Sequence, residues 1–391
     1  MKEKNFVYIA LALAFGSCSE DVKDKEVKSV VVEIDNPVEL YFSDVIDTCY
    51  FVPLDSKVII GEISSLDIGV DYFAVLDRSS TKSIYLFDWQ GNLKTRINDY
   101  GEGPGKFRIP SYINLFEKDK KLVFYDDAGP KILTYNFQGE LLQEKLVGNL
   151  GQFNDFKSAE NGFVVFARSG TFDGGDALMY VDKDIENPLF PLENIKLAGW
   201  EEDHGAQNSL YKSLSGENIY FQINTTSDLL EFNKTGLVSH IRFDFSSRGL
   251  DYSNSSINPY DLLDISRTRN LVFLGPNHID LGDYMLLDLS DSGLGKMAIF
   301  DKKNGHARMV SRLVNDLSLM MNLSGIPGAY NNQPGYLTLA MPYGQFESIR
   351  SKLDFQDNPY REVIEKISSD DPESLVLMIY KFKTDFEIDV D

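Results

Sequence analysis

Cysteine is nearly absent from this 391-residue sequence, which has only Cys18 and Cys49. Two thiols cannot supply a disulfide framework, so the chain must fold on its apolar core. Histidine is almost as scarce. His204, His240, His278 and His306 lie far apart, none at metal-ligand spacing, which argues against zinc. Positive charge is short as well: 38 basic against 60 acidic residues give a net charge of −22. Such a surface repels phosphate backbones and anionic lipid, so nucleic acid is excluded as a partner. No serine sits in a Gly-x-Ser-x-Gly elbow, and no Ser-His-Asp set can be named. The longest apolar run, Phe6 to Phe15, has ten residues. A bilayer span needs about 20.

That short run carries an address. Lys2 and Lys4 precede it, and small residues then lead to a cysteine in Phe15-Gly16-Ser17-Cys18. A basic start and a ten-residue apolar core fit a signal peptide. Its ending resembles the bacterial lipobox, which implies cleavage after residue 17 and acylation of Cys18, hence an anchored chain. Ser19-Glu20-Asp21 and Lys23-Asp24-Lys25-Glu26 follow, charged and poor in apolar residues. Residues 18–29 therefore read as a flexible tether. The acidic start resembles a surface-export tag of Gram-negative lipoproteins, so an outer-membrane site is expected, surface-exposed or periplasm-facing. Cys49, within Asp47-Thr48-Cys49-Tyr50-Phe51-Val52, reads as a buried structural thiol.

What the sequence has in abundance is a repeated strand unit. An apolar strand ends in Asp or Asn, a Gly-containing turn follows, and a second strand begins. Ser83 to Asp88, Trp89-Gln90-Gly91 and Asn92-Leu93-Lys94 form the cleanest copy. Aligned on the strand-ending residue, the copies place Asp88, Asn136, Asp182, Asn233 and Asp301 at steps of 48, 46, 51 and 68 residues. A sixth copy runs from Ser374 to Phe382. The side chain at the strand end accepts turn hydrogen bonds, and the glycine supplies positive φ. Each copy has an apolar strand upstream, beginning at Tyr72, Lys121, Gly162, Asn218, Tyr284 and Tyr336. Strand-only repeats of about 40–50 residues predict a β-propeller, one blade per copy. The fold class expected is all-β: a six-bladed β-propeller over residues 30–391, with a short helical insertion in the last blade.

The stretched steps locate two insertions. Residues 246–277 contain Asp261-Leu262-Leu263-Asp264-Ile265, a short helix. Residues 341–373 contain Asn358 to Ile367, a helix with Asn358 as N-cap and Pro359 at its first position. Val30 to Ile34 and the segment near Cys49 to Leu54 precede the first blade and are expected to complete the last one as its outer strand. Residues 385–389 are the other candidate for closure.

Tyr100-Gly101-Glu102-Gly103-Pro104-Gly105-Lys106-Phe107, with Ile109-Pro110 after it, resembles the inter-blade linker of NHL-type propellers. No Lys-Ser/Thr follows the glycines, and Pro104 removes a backbone donor, so the loop does not read as a phosphate cradle. With Phe42 to Leu54 and Asp370-Asp371-Pro372 to Leu377, the whole is similar to the six-bladed β-propeller lipoproteins of anaerobic Gram-negative bacteria, which mostly lack an assigned activity. The resemblance implies a lipid-anchored binding or interaction module. Its ligand is a glycan, a peptide or another envelope protein, taken at the channel mouth and the two insertions. No cofactor is expected on that reading. The alternative is a calcium-dependent propeller enzyme of the lactonase or NHL-lyase kind. It would use strand-end residues Asp77, Asp126, Asn224 and Asp288, although their recurrence points first to turn chemistry. Glu201-Glu202-Asp203-His204 beside Trp200 reads as an exposed acidic loop or a carbohydrate contact.

Overall fold

The computed structural model describes residues 26–388 except 151, 160–161, 173–174, 184–187, 196–209, 223–226, 251–261, 319–320, 329 and 354–357. Cys18, Trp200 to His204 and Asn224 therefore lie outside the described residues. The chain opens with β1 (Lys28–Tyr41), a single helical turn α1 (Phe42–Val45) and β2 (Ile46–Pro53). β1 thus starts two residues inside the expected tether.

Six strand groups follow. The first is β3 (Ser65–Ile68), β4 (Tyr72–Asp77), β5 (Ser83–Asp88) and β6 (Leu93–Ile97). The second is β7 (Pro110–Phe116), β8 (Lys121–Asp126), β9 (Lys131–Asn136) and β10 (Leu141–Leu146). The third is β11 (Phe153–Ala159), β12 (Gly162–Phe172), β13 (Gly175–Asp182) and β14 (Pro188–Ile195). The fourth is β15 (Leu210–Lys212), β16 (Ile219–Phe221), β17 (Asp228–Asn233) and β18 (Gly236–Asp244). Helix α2 (Leu262–Arg269) leads into the fifth: β19 (Val272–Leu274), β20 (Ile279–Asp280), β21 (Tyr284–Asp291), β22 (Leu294–Asp301) and β23 (His306–Val314). The last group is β24 (Tyr336–Pro342) and β25 (Leu375–Phe382), separated by helices α3 (Tyr343–Arg350) and α4 (Arg361–Lys366). The fold is all-β in its framework, and every copy expected from the sequence is a strand pair here. Among the described residues no helix is long and apolar enough to cross a membrane.

The hydrogen bonding departs from six separate sheets. There are five, because β1 joins the fourth and fifth groups into one ten-stranded sheet. It runs parallel to both outer strands: Lys28 to Val31 pair with Ile241 to Asp244 of β18, and Val32 onward pairs with β23. The expectation that Val30 to Ile34 completes the last group is thereby corrected. β2 does that instead, antiparallel to β25 with Cys49 opposite Tyr380, as expected for the Cys49 segment. β25 has β2 on one side and β24 on the other, and among the described residues, 385–388 supply no strand to this sheet.

Alternation along each strand builds the core. In the first group Phe73, Val75, Tyr85 and Phe87 pack with Leu377 and Ile379 of the last. Their neighbours Ala74, Leu76, Ile84 and Leu86 point the other way, onto Leu122, Phe124 and Leu133 of the second. Both faces of these strands are buried, which is why they read as continuous apolar runs. The strand-end residues behave as turn acceptors. Asp88 takes the N–H groups of Gln90 and Asn92 at 3.0 and 2.9 Å, and Asn136 those of Gln138 and Glu140 at 3.0 and 2.9 Å.

Helices α3 and α4 cover the outer side of the closing sheet. Phe346 and Ile364 are buried in the same cluster as Cys49, Phe51 and Tyr380. Arg350 donates to the carbonyls of Ile364 and Ile367 at 2.8 Å each, satisfying the end of α4. The segment after Met341 is thus largely structural. Asn358 does not cap the helix as expected: its side-chain oxygen takes the Tyr360 N–H at 2.8 Å, and α4 starts at Arg361. Cys49 is buried, which pushes its thiol up to about 12 against the hydrogen bond with Tyr360, and it is chemically quiet.

Candidate functional site

The innermost strands carry polar side chains that stitch consecutive groups together. Asp67 of β3 accepts the Leu115 N–H of β7 at 2.7 Å. Asn114 of β7 accepts the Ser158 N–H at 2.7 Å, and Asp155 of β11 accepts that of Leu210 in β15 at 2.8 Å. Asp280 of β20 takes the Leu214 N–H at 2.8 Å, and its own carbonyl receives the Gly335 N–H. Gln333 then donates to the Leu66 carbonyl of β3 at 2.7 Å, so the series returns to its start. Buried backbone groups need partners, and short polar side chains from the neighbouring group supply them.

At one end of these strands lies a cavity of about 570 Å³. Four groups line it: Ser64, Ser65 and Arg78 from the first, Ser111 and Tyr112 from the second, Lys157 from the third, and Tyr330 with Ala340 from the last. Its size and its mixture of polar and aromatic walls suit a small organic ligand.

Two features of the wall are unusual. Tyr112 holds φ 53° in the irregular stretch of β7 between Ser111 and Asn114. A bulky residue in the left-handed region is strained, and its surroundings must hold it there. They do so through its hydroxyl, which donates to the Asn154 carbonyl, and through ring packing on Tyr125. Burial first, and then Asp155, push the Tyr112 phenol well above its ordinary range, so it is a donor and not an anion.

Lys157 is the second. It is only 5% exposed, and no hydrogen bond or ion pair is made by its ammonium among the described residues. Burial lowers its affinity for a proton; Asp155 and Asp67 oppose that effect, and Lys212 adds to it. Arg78, at the same mouth, contacts Asp127 at 3.4 Å with its side chain 35% exposed.

The carboxylates considered from the sequence do not come together here. Asp77 is taken up by its own loop, accepting the N–H groups of Gly61 and Ser80 at 2.8 Å each and the Thr81 hydroxyl at 3.0 Å. Asp126 likewise accepts those of Arg108 and Ile109 at 3.1 and 2.8 Å. Asp288 is buried beside Asn277 and His278, and burial pushes its carboxyl up to about 7 against the hydrogen bonds from Asn277 and Leu289. Among the described residues no group of three or more His, Cys, Asp or Glu side chains is placed to hold a metal ion. Sequence reasoning missed Lys157 and Tyr112. The available signal was a lone lysine in Phe156-Lys157-Ser158, at the place where neighbouring groups put Asp67 and Asn114.

The sequence matches one family, a domain of unknown function (DUF4934), over residues 25–381. The chain belongs to that family. No curated protein matches it. Among solved structures, it is similar to a protein described as exported from Bacteroides fragilis, at a TM-score of 0.61 and 14% identity, covering 92% of this chain and 100% of that one. It is also similar to a member of the DUF4221 family from Bacteroides vulgatus, at a TM-score of 0.50 and 10% identity over 87% and 98% of the two chains. At these identities the likeness concerns the fold. This member of DUF4934 thus has an all-β framework and a cavity walled by polar and aromatic side chains.

Proposed function

We propose that this DUF4934 chain is a lipid-anchored cell-envelope protein that binds a small ligand in the cavity between Arg78 and Lys157. The observation that carries the reading is the cavity itself, with a buried amine and several serines and tyrosines among its walls. Pockets of this size with a few convergent polar groups are where folds of this kind take ligands.

The framework is a six-bladed, NHL-like propeller in this reading. Its support is the alternation of strand faces between neighbouring groups and the stitch from Gln333 back to Leu66. The ten-stranded sheet is then two adjacent blades sharing β1. Residues 1–17 act as the signal, Cys18 carries the lipid, and the tether ends where β1 begins. The leader sequence supports outer-membrane anchoring, and so does the description of the Bacteroides fragilis protein as exported. The partner is a glycan, a peptide or an envelope protein, and binding needs neither calcium nor a cofactor.

The test uses the full chain in detergent. Sugars, sugar acids and short peptides are screened by thermal shift against the wild type and Ser79→Trp, which fills the mouth from an exposed position. Compounds that raise the melting temperature of the wild type alone identify the cavity as the site. A screen in which no compound does so refutes it. Calcium against chelator is expected to leave the melting temperature unchanged, and Cys18→Ala is expected to release the chain from the membrane fraction.

A further inference from the structure

We infer that the ligand of this cavity is a small hydroxylated carboxylate, with Lys157 as the ion-pair partner of its carboxyl group. The inference rests on the reading of the cavity as a binding site and adds the chemistry of what enters it.

A buried ammonium without a partner is costly to keep. Lys157 is nevertheless held at the cavity wall, from a strand whose alternate residues are core: Phe156 is fully buried and Lys157 lies opposite Val164 in β12. The buried carboxylates Asp155 and Asp67 favour a cation at this place, yet neither makes an ion pair or hydrogen bond with the Lys157 ammonium, which is left facing the cavity. Glu62, an exposed carboxylate, also lines the cavity but makes no ion pair with Lys157, and the two buried carboxylates that act on the amine already accept other hydrogen bonds. Asp155 accepts the Leu210 N–H, and Asp67 accepts the Leu115 N–H with Lys212 at 3.6 Å. The anion that would complete Lys157 therefore has to come from the open side, the cavity.

The rest of the wall narrows the class. Arg78 adds a second cation at the rim, and its contact with Asp127 at 3.4 Å leaves most of its planar donor fork available for a carboxylate. Ser64, Ser65, Ser79 and Ser111 bring hydroxyls, which match hydroxyl groups on a ligand better than they match hydrocarbon. The volume, about 570 Å³, far exceeds what a bare inorganic anion fills. Tyr330 offers a ring against which a sugar-like face can rest. A uronic acid, alone or at the end of a short glycan, has every one of these features.

The experiment compares D-glucuronate, D-glucose, acetate and inorganic phosphate by thermal shift and titration calorimetry on the full chain in detergent. The variants are Lys157→Met, which keeps the volume, and Arg78→Gln, which changes a partly exposed side chain. Glucuronate is expected to raise the melting temperature and to bind at least about tenfold more tightly than glucose or acetate, the worth of one charge-assisted contact. Lys157→Met should remove that preference in a folded protein, and Arg78→Gln should weaken it. Equal binding of glucose and glucuronate, unchanged by Lys157→Met, would overturn the inference while leaving the cavity as a binding site. A preference for phosphate over glucuronate would overturn it too. So would no response to any of the four probes, and the wider screen with Ser79→Trp then decides separately whether the cavity binds anything.

Discussion

The side chain of Asn331 stands in for a strand beside Thr338. Its oxygen accepts the Thr338 N–H at 2.6 Å, and its amide nitrogen donates to the Thr338 carbonyl at 2.7 Å, the pair of bonds a neighbouring strand would make. β24 is an edge strand of its sheet, and this one carboxamide completes part of that edge. The amide also reaches the Pro327 carbonyl, which fixes the approaching loop.

Replacing Asn331 by Ala should therefore cost about 3 kcal/mol, since two buried backbone groups lose their partners at ~1–3 kcal/mol each. Asn331→Asp should cost more, because an oxygen would then face the Thr338 and Pro327 carbonyls. Urea unfolding of the three proteins checks the order; a loss well under 1 kcal/mol for Ala would mean that water replaces the carboxamide.

Asp288 and His278 give the protein a specific pH signature. Burial raises the Asp288 carboxyl to about 7 and lowers the His278 imidazole to about 3, despite a hydrogen bond at Asn277 that favours the charged imidazole. As pH climbs from about 4 to about 7 the unfolded chain gives up the Asp288 proton while the native one retains it, so this group makes stability fall. His278 acts oppositely: between about pH 3 and 6.5 the unfolded chain binds a proton that the native one refuses, so stability rises with pH. The two slopes oppose each other where they overlap. Asp288→Asn removes only the first, and its melting temperature relative to wild type should increase steadily from about pH 4 to 7 and then level off. A difference that stays constant with pH would show that Asp288 ionises normally.

Gly91 and Gly139 occupy the same turn position, at φ 80° and 81°. An Ala at either is strained by about 1 kcal/mol or more. At Gly139 the new methyl meets the Thr95 side chain at 3.1 Å, which can give way. At Gly91 it runs into the Pro53 carbonyl of β2, just where Asp55 N–H bonds the Gly91 carbonyl at 3.0 Å. Gly91→Ala should lower the melting temperature clearly more than Gly139→Ala, the difference reporting the closure of the last sheet. Equal losses would mean that β2 yields there without cost.

The central strands were readable because both of their faces are buried, so β4, β8 and β21 appear in the sequence as apolar runs ending in or containing Asp77, Asp126 and Asp288. β1 was recognisable as a strand, but its place was not. Its partners Ile241 to Asp244 and Ala307 to Val314 are more than 200 residues away, and no local pattern chooses between outer edges. Helix α3 gave little signal because it starts with Tyr343-Gly344 and is held by tertiary contacts, Gly344 N–H to the Pro372 carbonyl at 2.8 Å among them. Lys157 was silent for a related reason. A single lysine in a strand reads as a solvated residue until the strand is known to border a cavity.

The placement of β1 and β2 also orders events during synthesis. Both strands leave the ribosome first, yet β1 waits for Val310 to Val314 and β2 for Leu375 to Phe382. β1 thus lacks its partners until residues 241–314 have been made, and β2 lacks its partner until residues 375–382 have been made. A product cut short before Leu375 would leave β2 and β24 with bare edges, open to pairing with another chain. The arrangement works as a late check: only a chain extended through Phe382 can pair the strand it made near its start.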